Sequence, residues 1–355
     1  MAEGPGRRIR VGDREIGPGC PVFCVAEMSA NHGQDFEEAA RILHAAKDAG
    51  ADAIKLQTYT PDTMTIECDR PEFRVGAGTI WEGRSLYDLY GEAHTPWEWQ
   101  PKLAALAREL GLLCFSTPFD ATSLAFLESE LDPPVHKIAS FEIVDEALLR
   151  AVGRTGKPVI VSTGMSSLAE IERAVGALRD SGADDIVLLK CTSAYPAAPE
   201  EMNLRTIPHL AAAFGVPVGL SDHTLGTACA VAAVALGACV VEKHFTLSRD
   251  VPGPDSAFSL EPQEFRAMVD AVRETERALG RVSYEVQPRE AAGRVFRRSL
   301  FVVRDVKAGE VFTEENVRSI RPGHGLPPRD LERVLGRRAA EDCPKGTPLR
   351  WSLIA

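Results

Sequence analysis

From about residue 22 the chain repeats one pattern. A short run rich in Val, Ile, Leu and Ala gives way to a polar cluster, then to a stretch whose apolar residues recur every three or four positions. The first run, 22–26, ends at Glu27. The stretch 36–49 follows, with Phe36, Ala39, Ala40, Leu43 and Ala46 at helical spacing behind an Asp35 cap and ahead of Gly50. Further runs lie at 53–56, 112–115, 135–138, 158–161, 186–189, 216–220 and 238–241. Eight such runs separated by helical stretches predict an α/β fold, a (β/α)8 TIM barrel over residues 1–280. A doubly wound sheet shows the same alternation. The count of eight, with polar residues at the C-terminal end of every run, favours the barrel, whose strand ends converge on one mouth. Ahead of the pattern, Ile9-Arg10-Val11 and Arg14-Glu15-Ile16 around Gly12-Asp13 predict a hairpin that plugs one end. The loop from 59 to about 95, rich in Asp, Gly and aromatic residues, is long enough to predict a functional lid.

After the last amphipathic helix, 261–279, the pattern changes. Residues 281–295 have no strong period and read as a linker. From 296 to 355 short apolar runs alternate with Gly and Pro, predicting a small β-rich domain that packs on another surface.

Charge and cysteine narrow the partners. With 40 Lys and Arg against 51 Asp and Glu, the net charge of −11 and the lack of a basic run argue against nucleic acid. No apolar stretch reaches membrane-spanning length and the early arginines precede no signal core, so a soluble, cytoplasmic protein is expected. The eight cysteines sit singly, without a C-x-x-C pair, and read as reduced; Cys191, beside a strand-end lysine, is the one to watch for reactivity. No G-x-G-x-x-G or G-x-x-x-x-G-K-[ST] follows a strand, so neither a dinucleotide nor a P-loop nucleotide is indicated.

Two strand ends carry the most chemistry: Ser221-Asp222-His223 and, one repeat later, Glu242-Lys243-His244. Either histidine alone suits a satisfied polar residue at a strand end. Adjacent strands aim two imidazoles into one space, which, with Glu242 and Asp222 beside them, suits a divalent metal with open positions. Lys55, Lys137 and Lys190 stand among apolar neighbours, where an unpaired ammonium is costly. With Ser116, Thr117, Ser140, Ser162, Thr163, Ser193 and Ser221 at the same level, they suit a small, multiply charged anion such as a phosphorylated carboxylate.

The segments 26–32 (Ala-Glu-Met-Ser-Ala-Asn-His), 55–59 (Lys-Leu-Gln-Thr-Tyr), 137–142 (Lys-Ile-Ala-Ser-Phe-Glu), 190–196 (Lys-Cys-Thr-Ser-Ala-Tyr-Pro), 219–224 and 242–245 together resemble the sialic acid synthase family over nearly the whole chain. The tail, with Arg321-Pro322-Gly323-His324-Gly325, resembles its antifreeze-like SAF domain. Residues 29–32, 58–63, 86–90 and 95–99 are most similar to the pseudaminic acid branch. Met28 to Ala30 depart from the Gly-Ile-Asn-His type of segment in the ordinary sialic acid synthases. The resemblance implies condensation of phosphoenolpyruvate with an open-chain N-acylated amino sugar, 2,4-diacetamido-2,4,6-trideoxy-L-altrose in that branch, with C–O cleavage and phosphate release. It implies phosphoenolpyruvate on Lys55, Lys137, Ser140, Ser162, Ser193 and Ser221, and Mn2+ or Mg2+ on His223 and His244. The sugar would face Glu27, Gln57, Tyr195 and Asp255, with Glu142 and Glu242 completing the polar site and Glu27 the candidate for managing a water proton. It further implies a domain-swapped homodimer in which Arg321 reaches the partner's sugar. The alternatives are a synthase of N-acetylneuraminate or legionaminic acid, a Schiff-base aldolase through Lys190, and a sugar-binding or antifreeze-like protein without catalysis.

Overall fold

Each of the eight apolar runs is a strand, and the eight pair in parallel into a closed barrel. In the computed structural model, residues 7–76 and 78–355 are described. They divide into two compact units, Met1–Gly280 and Arg281–Ala355. The first unit begins with an antiparallel hairpin, β1 (Ile9–Val11) and β2 (Arg14–Ile16). The barrel strands are β3 (Phe23–Glu27), β4 (Ala53–Thr58), β5 (Leu113–Pro118), β6 (His136–Ile138), β7 (Val159–Ser162), β8 (Ile186–Cys191), β9 (Val218–Asp222) and β10 (Val240–His244), which closes back onto β3.

A strand sends alternate side chains to opposite faces, so closure gives every strand an inside and an outside. Inside, Phe23, Val25, Phe115, Ile160, Val187 and Val240 meet Ile9, Val11 and Ile16 of the hairpin, which plugs the barrel at the N-terminal ends of the strands. Outside, Ile54, Val161, Leu188, Leu220 and Val241 pack under the helices. Both faces are apolar because helices cover the whole barrel, the usual condition of a parallel sheet. Asp52 ties this end together. Its carboxylate accepts from the Cys24 amide at 2.9 Å, Arg14 at 2.6 Å and Arg273 at 2.9 Å, joining barrel, hairpin and last helix.

The helix Phe36–Asp48 is capped by Asp35, whose side chain accepts from the Glu37 amide at 2.8 Å. It buries Ala39, Ile42, Leu43 and Ala46. Several strands outrun their predicted ends: β9 continues to Asp222 and β10 to His244. The polar motifs therefore belong to the strands themselves and inherit their alternation.

In the second unit β11 (Ser299–Val302) and β12 (Val317–Ile320) pair antiparallel. Leu300, Val302, Phe312, Val317, Val334 and Leu349 form a core of its own. Residues 281–287 form neither helix nor strand and are exposed, with Val282 92% and Tyr284 98% accessible. The alternation Val282, Tyr284, Val286 is a strand-like pattern within a segment read as aperiodic. Two helical turns follow, Pro288–Ala291 and Ala292–Phe296. Among the described residues no helix is long and apolar enough to cross a membrane.

Gly219 sits where neighbouring strands leave no room for a side chain. A Cβ there would lie 2.5 Å from the Val240 carbonyl oxygen and 2.7 Å from Leu189 Cδ2. Gly219→Ala is expected to cost about 2 kcal/mol or more, because the neighbouring strand cannot retreat without opening the ring; a urea midpoint equal to wild type would contradict this.

Candidate active site

The inward phase of the strands brings Glu27, Lys55, Gln57, Lys137, Ser162, Ser221, Glu242 and His244 to the C-terminal mouth. His223, one residue beyond β9, keeps the phase. Loops add Ser140 and Glu142 after β6, Ser193 and Tyr195 after β8, and Asp255 after β10.

Lys55 Nζ lies 2.8 Å from Glu27 Oε2 and 3.3 Å from Glu242 Oε1, with all three side chains buried. Lys137 Nζ donates to Ser162 Oγ at 2.7 Å and the Ile138 carbonyl at 2.9 Å, and stands 3.9 Å from Glu242 Oε1. Ser221 Oγ donates to Glu242 Oε1 at 3.3 Å. Beside them, the Ser140 and Ser193 hydroxyls fill the space that a side chain at Gly164 would need, and the Gly164 amide donates to Ser140 Oγ at 3.0 Å. One side of the mouth is thus built of ammoniums, hydroxyls and a side-chain-free turn.

The other side is aromatic and imidazole. The His223 and His244 ring centroids are 5.4 Å apart; Tyr195 is 4.4 Å from His223, and Phe258 is 4.9 Å from His244. A polar strip runs alongside. Gln57 Nε2 donates to Glu27 Oε1 at 3.0 Å and Ser29 Oγ at 2.9 Å, and Ser29 Oγ donates to Asp255.

The NeuB family profile matches residues 42–284, and the SAF domain profile matches 297–355. The chain belongs to the NeuB family. It is 46% identical to the pseudaminic acid synthase of Campylobacter jejuni over 93% of this chain and 96% of that protein. It is 35% identical to the N,N'-diacetyllegionaminic acid synthase of Legionella pneumophila over 99% of both. Among solved structures, the N-acetylneuraminic acid synthetase of Leptospira borgpetersenii superposes with a TM-score of 0.72 at 32% identity, covering 81% of this chain and 95% of that one.

Four expectations for this NeuB-family mouth need correction, all through strand phase. Asp222 does not stand beside the histidines. It points out of the barrel and pairs with Lys243 at 2.6 Å, both side chains fully buried. Lys243 also donates to the Thr224 carbonyl at 2.6 Å, so this outer pair anchors the turn that presents His223. Ser116 faces outward onto Thr58, and the Thr163 hydroxyl donates to the Leu189 carbonyl. Lys190 also lies on the outer phase, donating to the Cys191 carbonyl at 2.7 Å and Thr192 Oγ1 at 3.2 Å, which leaves the Schiff-base reading without an inward amine. Thr117, one of the predicted hydroxyls, keeps the inward phase, and its buried Oγ1 has no partner; Ser29 and Phe258, outside the predicted set, join the mouth. Thr117 was legible as a hydroxyl on an inward position; Phe258 carried no signal. Arg321, just past β12, belongs to the second unit.

Burial and charge set the protonation states. Burial pushes Glu27 up to about 7, against the pull of Lys55 and with repulsion from Glu242 adding. Burial likewise takes Glu142 to about 7. Burial opposes the charge on Glu242, yet Lys137 and Lys55 outweigh it and hold that carboxylate below its usual range. Burial lowers Lys137 to about 8. Near neutrality Glu27 and Glu142 can therefore exist with or without a proton, while Glu242 stays ionised beside the lysines.

The imidazoles fit a metal. His244 is held neutral by burial and by the nearby His223 and Lys55, and its buried Nδ1 has no partner. His223 Nδ1 bonds the Thr192 carbonyl at 2.9 Å, which directs Nε2 elsewhere as a ligand nitrogen. Burial works to lower His223, but Cys191, with Sγ 3.8 Å from Nδ1, outweighs it and raises the value, so a proton competes with a metal there. Among the described residues no cluster of three or more His, Cys, Asp or Glu is placed to hold an ion, so a metal here would leave positions for substrate and water.

Glu142 gives a pH test. Its folded value of about 7 lies above the 4.5 usual for a free glutamate, so its contribution to stability is complete below about 4.5 and is lost as pH rises through 7. The loss is on the order of 3 kcal/mol. Glu142→Gln is expected to flatten that fall and to be more stable than wild type at pH 8; equal urea midpoints for the two proteins at pH 5 and pH 8 would contradict it.

Proposed function

We propose that the chain is a pseudaminic acid synthase, joining phosphoenolpyruvate to 2,4-diacetamido-2,4,6-trideoxy-L-altrose with C–O cleavage and release of phosphate. The observation that carries this reading is the division of one barrel mouth into an ammonium and hydroxyl side and an imidazole and aromatic side, in a NeuB-family chain 46% identical to the C. jejuni synthase. A legionaminic or neuraminic acid synthase would share that division; the lower identity of 35% to the legionaminic enzyme makes it the second reading.

On this reading Lys55, Lys137, Ser162 and Ser221 hold the carboxylate and phosphate of phosphoenolpyruvate, and Ser140, Ser193 and the Gly164 amide line the cradle next to them. A divalent ion, Mn2+ or Mg2+, held by His223 and His244 supplies Lewis acidity toward the sugar aldehyde. Gln57, Tyr195 and Asp255 orient the sugar so that its aldehyde carbon meets C3 of phosphoenolpyruvate. As the C3–C bond forms, positive charge develops at C2, and Glu242 lies between the lysines to offset it. Water adds to C2 and gives its proton to Glu27, whose value near 7 suits a base that passes it on to the alkoxide formed from the aldehyde oxygen. Glu142, also near 7, would donate a proton to the departing phosphate and regain one from the C2 hydroxyl as the tetrahedral carbon collapses to the 2-keto acid.

A second copy of the chain completes the site on this reading. Residues 281–355 hold 15 of the 40 Lys and Arg but only 10 of the 51 acids, so the second unit is basic and the barrel strongly acidic, charges that suit association between copies. Phe141, Met165, Leu225 and Val251, in the loops after β6, β7, β9 and β10, are each more than half exposed around the mouth. Together with Val282 and Tyr284 they offer apolar surface for a swapped dimer in which the partner's second unit brings Arg321 to the sugar.

Phosphate release from phosphoenolpyruvate should require both the diacetamido-trideoxy sugar and a divalent metal, and N-acetylmannosamine and the legionaminic acid precursor should serve less well; equal use of all three sugars removes the substrate assignment. His244→Ala should abolish turnover and leave the circular dichroism spectrum intact, and retained activity would sink the metal assignment. Arg321→Ala should raise the sugar KM by roughly tenfold, the scale of one charged hydrogen bond, with little change in the phosphoenolpyruvate KM. No effect on sugar KM or kcat would remove the cross-subunit cap.

A further inference from the structure

The long segment after β4 does not fold away from the barrel. Its ends are fastened to the first unit: Trp97 Nε1 donates to the Tyr59 carbonyl at 3.1 Å, and His32 Nε2 meets Thr95 Oγ1 at 3.1 Å. Between them, Arg74 and Ser85 form an antiparallel bridge, and the Val75 amide donates to the Arg84 carbonyl at 2.9 Å. This makes a narrow arm with Trp81 near its tip. Trp81 Nε1 donates to the Pro254 carbonyl at 2.8 Å. Its ring lies 5.8 Å from Tyr195 and 6.3 Å, edge to face, from Phe258. Tyr195 follows β8, which stands diametrically opposite β4 in the ring of strands. The arm therefore reaches across the mouth, and its tryptophan closes an aromatic wall whose inner members stack on His223 and His244.

The geometry points to Trp81 as a specificity-determining residue that receives the apolar substituents of the sugar, the acetamido methyls and the C6 methyl. This rests on the synthase reading given above. Three features place Trp81 on the sugar side of the mouth. Its ring partners touch the imidazoles, not the lysines. The carbonyl it grips belongs to the residue before Asp255, which bonds Ser29 beside Gln57. And the arm starts from β4, the strand that carries Gln57. An indole held by one hydrogen bond at its edge presents a broad, rigid face, suited to C–H groups and unable to satisfy a hydroxyl. A 2,4-diacetamido-6-deoxy sugar presents methyl groups where N-acetylmannosamine presents hydroxyls at C4 and C6, so the wall favours the first and gives little to the second.

The test compares wild type, Trp81→Ala and Trp81→Phe by phosphate release, measuring KM for the diacetamido-trideoxy sugar, KM for phosphoenolpyruvate, and Ki for N-acetylmannosamine as a competing ligand. Trp81→Ala should raise the sugar KM about tenfold while the phosphoenolpyruvate KM and the N-acetylmannosamine Ki stay within about twofold. Trp81→Phe, which keeps a ring but loses the bond to Pro254, should fall between. An unchanged sugar KM in Trp81→Ala overturns the assignment, as does a parallel shift of all three constants, which would mark a merely structural arm. Wild type that releases no phosphate with any of the sugars removes the reaction itself and this role with it, whereas an active wild type with an insensitive Trp81→Ala removes only this role.

Discussion

Glu242 lies between two ammoniums, 3.3 Å from Lys55 and 3.9 Å from Lys137, inside a ring of strands that excludes water. Burying any one of these charges alone would cost several kcal/mol, so the three persist only as a set, with Glu27 and Ser162 taking the remaining donors. The set is poor value as a stabiliser. Its two ammoniums and one ionised carboxylate leave a net positive charge at the mouth, which suits an anion. The closed barrel is what makes this possible, because only a ring brings β3, β4, β6 and β10 to one point.

The same ring sorts charges into two kinds. Residues one apart on a strand end up on opposite sides of a wall. Glu242 and His244 face the mouth, and Lys243 between them faces the helices, where it satisfies Asp222 and the Thr224 carbonyl. That outer pair, fully buried and fully bonded, holds the turn at His223 in place. The chemistry on the inside thus depends on an ion pair outside that never meets a substrate. Farther down, Gly219 and the hairpin residues Ile9, Val11 and Ile16 keep the barrel filled, and a filled barrel confines the polar groups to its upper end.

Much of this was legible from pattern. Eight short apolar runs with helical stretches between them have few other solutions, and the Asp35 cap, the hairpin plug and the change of pattern after residue 279 follow from local rules of period and turn chemistry. Most of the residues that the barrel gathers at its mouth were legible too, because ionisable and hydroxyl groups at the ends of buried strands have no reason to be there unless something polar meets them. The exceptions are instructive. Asp222 and Lys190 sit in the same motifs as true mouth residues, and composition cannot tell them apart. Five of the eight strand ends, β9 and β10 among them, were read two or three residues short, which left their motifs in loops, where alternation has no force.

By itself the sequence determined the architecture, the list of groups available for chemistry and the family, since each depends on local pattern or on ordered motifs. Only the tertiary structure decided which of two neighbouring charges faces the mouth, how far Glu27 and Glu142 are shifted, and that Trp81 crosses the opening to meet Tyr195. Those outcomes depend on the register of strands distant in the chain and on the exclusion of water between them, and neither is encoded at any single position.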